Sequence, residues 1–161
     1  MNVYEFTRGD FPLTLTTTSP EETEAVGAAL GRLLDADKQM PPYVAMYGDL
    51  GVGKTAFVRG VASVLAPGRA VRSPTFALVN EYRAAGQRPL FHFDMYRIED
   101  EDDLYSIGYD DYPDRGVCIV EWCEKIPFAL PEQFIEVCIE KCPPEAEKRI
   151  IHISRKEEYA C

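Results

Sequence analysis

The stretch that decides the fold of this 161-residue chain is Gly48-Asp49-Leu50-Gly51-Val52-Gly53-Lys54-Thr55. It matches the pattern G-x-x-x-x-G-K-[ST], in which glycines let the backbone curl so that successive N–H groups point at phosphate oxygens. In this pattern the lysine reaches the β- and γ-phosphates, and the final hydroxyl binds Mg²⁺. The loop therefore predicts a site for a magnesium-bound nucleoside triphosphate, with Lys54 and Thr55 as its first candidate residues.

The segments on either side of the loop have the periodicity that such a site requires. Residues 42–47 form a short apolar run, which predicts a strand that leads into the loop. After the loop, apolar residues at helical spacing predict an amphipathic helix that ends near Pro67. Ser19, Pro20 and Glu22 have the cap pattern of an earlier helix, and the alternating residues 11–17 predict a strand before it.

The rest of the chain continues this alternation of strands and helices. A short helix is expected to begin in the acidic stretch 99–103, and further strands are expected at 76–79, 89–95, 117–120, 134–139 and 149–153. The last two are close enough to pair as a β-hairpin. We therefore expect an α/β fold and one P-loop domain over residues 1–161, with a mostly parallel central sheet flanked by helices.

Composition narrows the classes of function. The formal net charge of −10 opposes binding to a phosphate backbone, so any contact with RNA is expected to run through a partner protein. No apolar run approaches the roughly 18 residues of a membrane span, and the N-terminus lacks the layout of a signal peptide. We expect a cytoplasmic protein with reduced cysteines, whose spacing does not fit a zinc site.

Two carboxylates compete for the second magnesium ligand, which in this class follows a neighbouring strand. Glu121 follows four apolar residues, whereas Asp94 follows a run that His92 interrupts. Spacing alone leaves the two nearly equal. His92 is more typical of a packed or hydrogen-bonded strand histidine than of a catalytic group. Trp122 could stack on a base, although a single tryptophan more often packs in a core or against a partner.

Four motifs taken together resemble the bacterial TsaE (YjeE) family, which serves the biosynthesis of threonylcarbamoyladenosine in tRNA. The loop at 48–55 is similar to the G-D-L-G-A-G-K-T loop of that family, and residues 73–79 are similar to its S-P-T-[FY]-x-L-V segment. Residues 92–97 match its H-x-D-x-Y-R motif, and Glu121-Trp122 matches its E-W pair. The resemblance runs in order over residues 19 to 126.

The resemblance implies an ATPase that acts with TsaD- and TsaB-type partners in threonylcarbamoylation of adenosine 37 of tRNA. It implies Mg²⁺ as the cofactor and ATP as the substrate, with Thr55 and Glu121 as metal ligands and Asp94 to position the attacking water or a metal-bound water. Lys54, Glu121 and Asp94 are then the catalytic candidates. The implied ATP contacts are Asp49, Leu50, Gly51, Val52, Gly53, Lys54, Thr55, Ser73 and Thr75.

The sequence departs from the family pattern at two positions, and other functions fit it less well. Val52 replaces the usual alanine, and Cys123 stands where proline is common. A nucleotide-gated assembly factor, in which binding rather than turnover matters, overlaps with the ATPase hypothesis. A small-molecule kinase is disfavoured because the segment 99–114 is acidic where a basic lid is needed. A GTPase is disfavoured because the sequence has no N-K-x-D motif.

Overall fold

The computed structural model describes residues 4–49, 51–72, 79–84 and 88–157. Three α-helices lie in these ranges: α1 (Pro20–Ala36), α2 (Lys54–Leu65) and α3 (Glu101–Ser106). The strands are β1 (Leu13–Thr17), β2 (Tyr43–Tyr47), β3 (Val79–Tyr82), β4 (Leu90–Asp94), β5 (Val117–Glu121), β6 (Gln133–Cys142) and β7 (Glu145–Glu157). Among the helices described, none is both long and apolar enough to cross a bilayer.

These strands form one sheet in the order β1-β7-β6-β2-β5-β4-β3. The four central strands, β6, β2, β5 and β4, are parallel to one another. The outer pairings, of β1 and β6 with β7 and of β3 with β4, are antiparallel. The α/β fold is therefore confirmed, with its parallel part at the centre and the expected C-terminal hairpin formed by β6 and β7.

Helices α1 and α2 lie together and cover one face of the sheet. The Ser19 hydroxyl accepts a hydrogen bond from the Glu22 amide at 3.1 Å, so the predicted cap begins α1. The two helices approach closely at Gly27 and Gly60. A β-carbon at Gly27 would collide with the carbonyl of Phe57, and one at Gly60 with the carbonyl of Glu24. This contact fixes α2, and with it the end of the phosphate loop, against α1.

Two apolar layers form the core, one on each face of the sheet. The first joins α1 and α2 to the sheet and includes Val26, Leu30, Phe57 and Val61. The second is rich in aromatic residues, and α3 contributes Leu104 to it. Both faces of the parallel strands are covered, so strands such as β5 are apolar almost throughout.

The structure changes some predicted bounds. The first strand begins at Leu13 rather than at residue 11, after a proline that has no N–H to donate. Of the strand expected at 76–79, only Val79 is described; it begins β3, which continues to Tyr82. Strands β6 and β7 are longer than expected, because the hairpin pairing continues through polar residues that have little apolar periodicity.

Candidate nucleotide-binding site

The segment 48–55 lies between β2 and α2, as the motif requires. Gly48 has a φ of 147°, and a β-carbon there would lie 2.7 Å from the carbonyl oxygen of Ile139 on β6. Gly53 has a φ of 112° and is the N-cap residue of α2. Side chains are disfavoured at both positions, because this region of φ is costly for residues with a β-carbon. The loop thus delivers the chain to the N-terminus of α2, where helix N–H groups can bind an anion.

Lys54 lies on the inner side of this loop. Its side chain is only 6% exposed, and its Nζ donates to the carbonyl oxygen of Gly48 at 2.9 Å. The same Nζ is 4.0 Å from Oε1 of Glu121 and 4.5 Å from the ring centroid of Trp122. The ammonium group is therefore held between the phosphate loop and the carboxyl end of β5, where a phosphate chain would displace these weaker partners.

The middle of the loop is held by the core and by the last strand. Val52 is buried, and its side chain packs in the core layer between the helices and the sheet. Its carbonyl oxygen accepts a 2.7 Å hydrogen bond from Nε of Arg149 on β7. Sequence reasoning missed Arg149, because no motif marks it and it lies 97 residues further along the chain.

Other residues expected to contact the nucleotide are placed only in part. Asp49 is exposed, and its carbonyl oxygen accepts from the Val52 amide at 3.2 Å, which closes a turn in the loop. Gly51 is exposed with a φ of 76°, and Thr55 is half-buried in the first turn of α2. The expected contacts Leu50, Ser73 and Thr75 lie outside the described residues.

The two competing carboxylates lie side by side. Asp94 at the end of β4 is directly opposite Glu121 at the end of β5 in the parallel pairing. Strand β5 is the immediate neighbour of β2, whereas β4 lies one strand further from the phosphate loop. Both carboxylates therefore belong to one site, and Glu121 is nearer to the strand that carries the loop.

Glu121 lies in the interior of this site. Its side chain is 8% exposed, and Oε2 accepts a 2.5 Å hydrogen bond from Nε2 of His92. Its other oxygen faces Lys54. A buried carboxylate is costly unless it is paired, and these two partners supply the pairing.

Asp94 has a different environment. Its Oδ1 accepts a 2.9 Å hydrogen bond from the backbone N–H of Tyr96. Burial raises the pKa of Asp94 above its ordinary value of 3.8, and the neighbouring charge of Glu121 adds to this rise. The Tyr96 amide, His92 and Lys54 lower it in part. Asp94 is thus a carboxylate of raised basicity beside a buried charged pair.

Trp122 covers the lysine from the outside. Its backbone is left-handed, with a φ of 61°, the only such value at a non-glycine residue in the described ranges. Its ring lies over Lys54, and its centroid is 5.0 Å from that of the exposed Tyr96. Trp122 therefore packs between Lys54 and Tyr96, beside the loop. Stacking on a base stays a prediction.

The oxygen donors fit a magnesium ion better than a metal held by the protein alone. Within the described residues, no three or more histidine, cysteine, aspartate or glutamate side chains are grouped to hold a metal. Magnesium usually keeps several waters and takes one or two protein oxygens together with substrate phosphates. The Thr55 hydroxyl, in the first turn of α2, and the Glu121 carboxylate, at the end of β5, are oxygen donors of that kind.

A sheet with four parallel central strands, a glycine-rich loop between β2 and α2, a buried loop lysine and an acidic strand end together define a P-loop protein. A family model described as "Threonylcarbamoyl adenosine biosynthesis protein TsaE" matches residues 17–151. The chain belongs to the TsaE family, which is a family of P-loop NTPases.

Individual relatives agree with this assignment. The chain is 37% identical over 147 residues to the tRNA threonylcarbamoyladenosine biosynthesis protein TsaE of Bacillus subtilis, covering 90% of this chain and 89% of that protein. It is 34% identical to the protein of the same name from Treponema pallidum, covering 75% and 86% of the two chains. The crystal structure of B. subtilis YdiB is similar with a TM-score of 0.67 and 32% identity, covering 91% and 86% of the chains.

Proposed function

We propose that this chain binds Mg-ATP at the loop from Gly48 to Thr55 and hydrolyses it slowly, in support of threonylcarbamoylation of adenosine 37 of tRNA. TsaD- and TsaB-type proteins are its proposed partners. The observation that carries the nucleotide part is the position of Lys54, buried between the loop carbonyl of Gly48 and the carboxylate of Glu121. Membership of the TsaE family supports the role in tRNA modification.

Each residue then has a defined task. The N–H groups at the start of α2 and the Lys54 ammonium bind the phosphates, and they neutralise charge that develops on them. Thr55 and Glu121 would hold the magnesium ion, which supplies charge stabilisation on the phosphate oxygens when it is bound. Asp94, with its raised pKa, orients the attacking water and accepts its proton.

Hydrolysis by the isolated chain is expected to be slow. P-loop enzymes that are fast usually place an arginine on the transferring phosphate, which contributes about 10³–10⁵ in rate. Within the described residues, the side-chain partners of Glu121 are Lys54 and His92, neither of which is an arginine. We expect partner proteins to complete the site. Turnover by the purified chain on the order of 1–100 per second would contradict this expectation.

Calorimetry, a capture experiment and a phosphate-release assay with ATP test the proposal together. Purified protein is titrated with ADP and a non-hydrolysable ATP analogue in Mg²⁺, and tagged protein is mixed with TsaD- and TsaB-type proteins with and without ATP. Nucleotide binding together with ATP-dependent capture is the expected result. Binding without measurable turnover, even with the partners present, would instead favour a nucleotide-gated assembly factor.

Contact with tRNA is proposed to be indirect. The net charge of −10 repels a phosphate backbone, and the acidic segment 99–103 and the site carboxylates Asp94 and Glu121 contribute to that charge. A gel-shift titration of the isolated chain at low salt should show no band for bound tRNA. A tight complex that weakens steeply with salt would contradict this.

The cytoplasmic location and the single-domain organisation over residues 1–161 also stay predictions.

A further inference from the structure

We infer that His92 is a positioning residue that fixes which oxygen of Glu121 faces the nucleotide. This inference rests on the proposed function, because it concerns the same carboxylate. In the middle of β4 a histidine interrupts a run that is otherwise apolar from Leu90 to Phe93, and its side chain is completely buried. A position of that kind is normally occupied by an apolar residue, so the polar group needs an explanation.

The register of the sheet brings His92 to Glu121. On the parallel pair β4 and β5, Asp94 is opposite Glu121 and His92 is opposite Ile119, two residues earlier. Residues two apart on a strand share a face, so His92 and Asp94 lie on the same face. From there the His92 ring reaches diagonally to Glu121, and Nε2 donates to Oε2 at 2.5 Å. Water cannot compete for this bond, because both side chains are almost fully buried.

The other ring nitrogen argues against a purely structural role. Nδ1 of His92 is buried and has no hydrogen-bond partner among the described residues. An unsatisfied buried polar atom is destabilising, so an apolar side chain would suit the core better. The histidine therefore weakens the core through one nitrogen while it holds Glu121 through the other. An apolar residue would fill the same space without leaving a buried polar atom unpaired, so packing alone does not explain a histidine here.

The hydrogen bond from His92 gives the two oxygens of Glu121 different partners. With Oε2 held by His92, Oε1 is the oxygen turned toward Lys54, at 4.0 Å. Without that bond the carboxylate could rotate and present either oxygen, or both, to the ammonium group. When the lysine turns to phosphate, Oε1 is left in a fixed direction for the magnesium ion or one of its waters. Hydrogen-bond partners of this kind typically change metal affinity by 10–100-fold when they are removed.

Two substitutions of His92 separate positioning from packing. His92→Leu keeps the approximate volume and removes the donor, whereas His92→Gln keeps an N–H near the position of Nε2. His152→Leu is the matched control, because His152 is an exposed strand histidine on β7, 46% exposed and distant in the sheet order. ADP is titrated by calorimetry into each protein in EDTA and in a series of Mg²⁺ concentrations.

We expect His92→Leu to lower the apparent Mg²⁺ affinity of the ADP complex by about 10–100-fold while ADP affinity in EDTA is unchanged. His92→Gln should recover most of the loss, and His152→Leu should behave as the unmodified protein. An unchanged Mg²⁺ dependence in His92→Leu would overturn the inference, as would a parallel fall of ADP affinity in EDTA. If the unmodified protein binds no ADP in either buffer, the proposed nucleotide site itself is wrong.

A second pair covers the case in which His92→Leu does not fold, as judged by circular dichroism. His92→Asn carries an amide too short to reach Glu121, so it is compared with His92→Gln in the same titration. Weaker Mg²⁺ binding in His92→Asn than in His92→Gln supports the inference. Equal Mg²⁺ affinity in the two overturns it.

Discussion

Glu121 and Asp94 end neighbouring parallel strands and face each other directly, yet they lie in different surroundings. Glu121 is buried between His92 and Lys54, whereas Asp94 is half-buried and bonded to one backbone N–H, with a raised pKa. Two like groups can thus take different roles when their environments differ. The paired carboxylate suits metal binding, and the more basic one suits proton acceptance from water.

The largest effect should come from removing the basicity of Asp94. Asp94→Asn keeps an oxygen for the Tyr96 amide but can no longer accept a proton, so hydrolysis should fall by roughly 10²–10⁴. Affinity for Mg-ADP should change little, because Asp94 is not expected to hold the ion. Phosphate release and calorimetry on the same protein check this. A loss of nucleotide affinity as large as the loss of rate would erase the difference between the carboxylates.

Lys54→Ala should weaken ATP binding by about 1.5–3 kcal/mol, the range for a hydrogen bond to a charged group. Lys54 is also the partner that faces Oε1 of Glu121, so among the described residues this variant leaves that carboxylate with His92 alone. Calorimetry with ATP measures the change, and Lys38→Ala, an exposed lysine after α1, is the control. Unchanged affinity would show that Lys54 is not the phosphate ligand.

The free energy of unfolding should depend more on Glu121 than on Asp94, although Asp94 is expected to matter most for turnover. Glu121→Ala removes a buried partner from both His92 and Lys54 and should lower the free energy of unfolding by about 1–3 kcal/mol. Asp94→Ala removes one hydrogen bond at a half-buried position and should cost less than about 1 kcal/mol. Urea unfolding at neutral pH measures both changes. Equal losses would mean that burial does not distinguish the pair.

The smallest effect concerns the pH dependence of stability. Because the pKa of Asp94 is raised in the folded state, its charge opposes folding at pH values above that raised pKa. Asp94→Asn should therefore be slightly more stable than the unmodified protein at neutral pH, by less than about 1 kcal/mol. The gain should shrink as the pH falls toward 3.8, where the unfolded chain also takes up the proton. Urea unfolding at several pH values measures this gain in stability. A gain that grows on acidification would mean that the pKa of Asp94 is lowered, not raised, in the folded state.

The parts of this site that could be predicted from the sequence are those fixed by neighbouring residues. The loop is a contiguous pattern, Glu121 follows an apolar run and Asp94 follows a run that one histidine interrupts, so their chemistry is visible locally. The bond from His92 to Glu121 was not predictable, because the two residues are 29 positions apart in the chain and meet only through the register of β4 and β5. The support of Val52 by Arg149 depends on which strand lies beside which. Sheet order and register follow from packing of the whole chain.

The hydrogen bond from Arg149 to Val52 has a consequence for when the growing chain can bind nucleotide during its synthesis. A growing chain contains the whole phosphate loop by residue 55, but the side chain that holds the loop carbonyl is added 97 residues after Val52. We therefore expect chains arrested on the ribosome before β7 to bind nucleotide poorly, and full-length chains to gain this ability as their last strand emerges. Capture of arrested chains of increasing length on immobilised ATP would follow that gain, and equal capture at every length would contradict it.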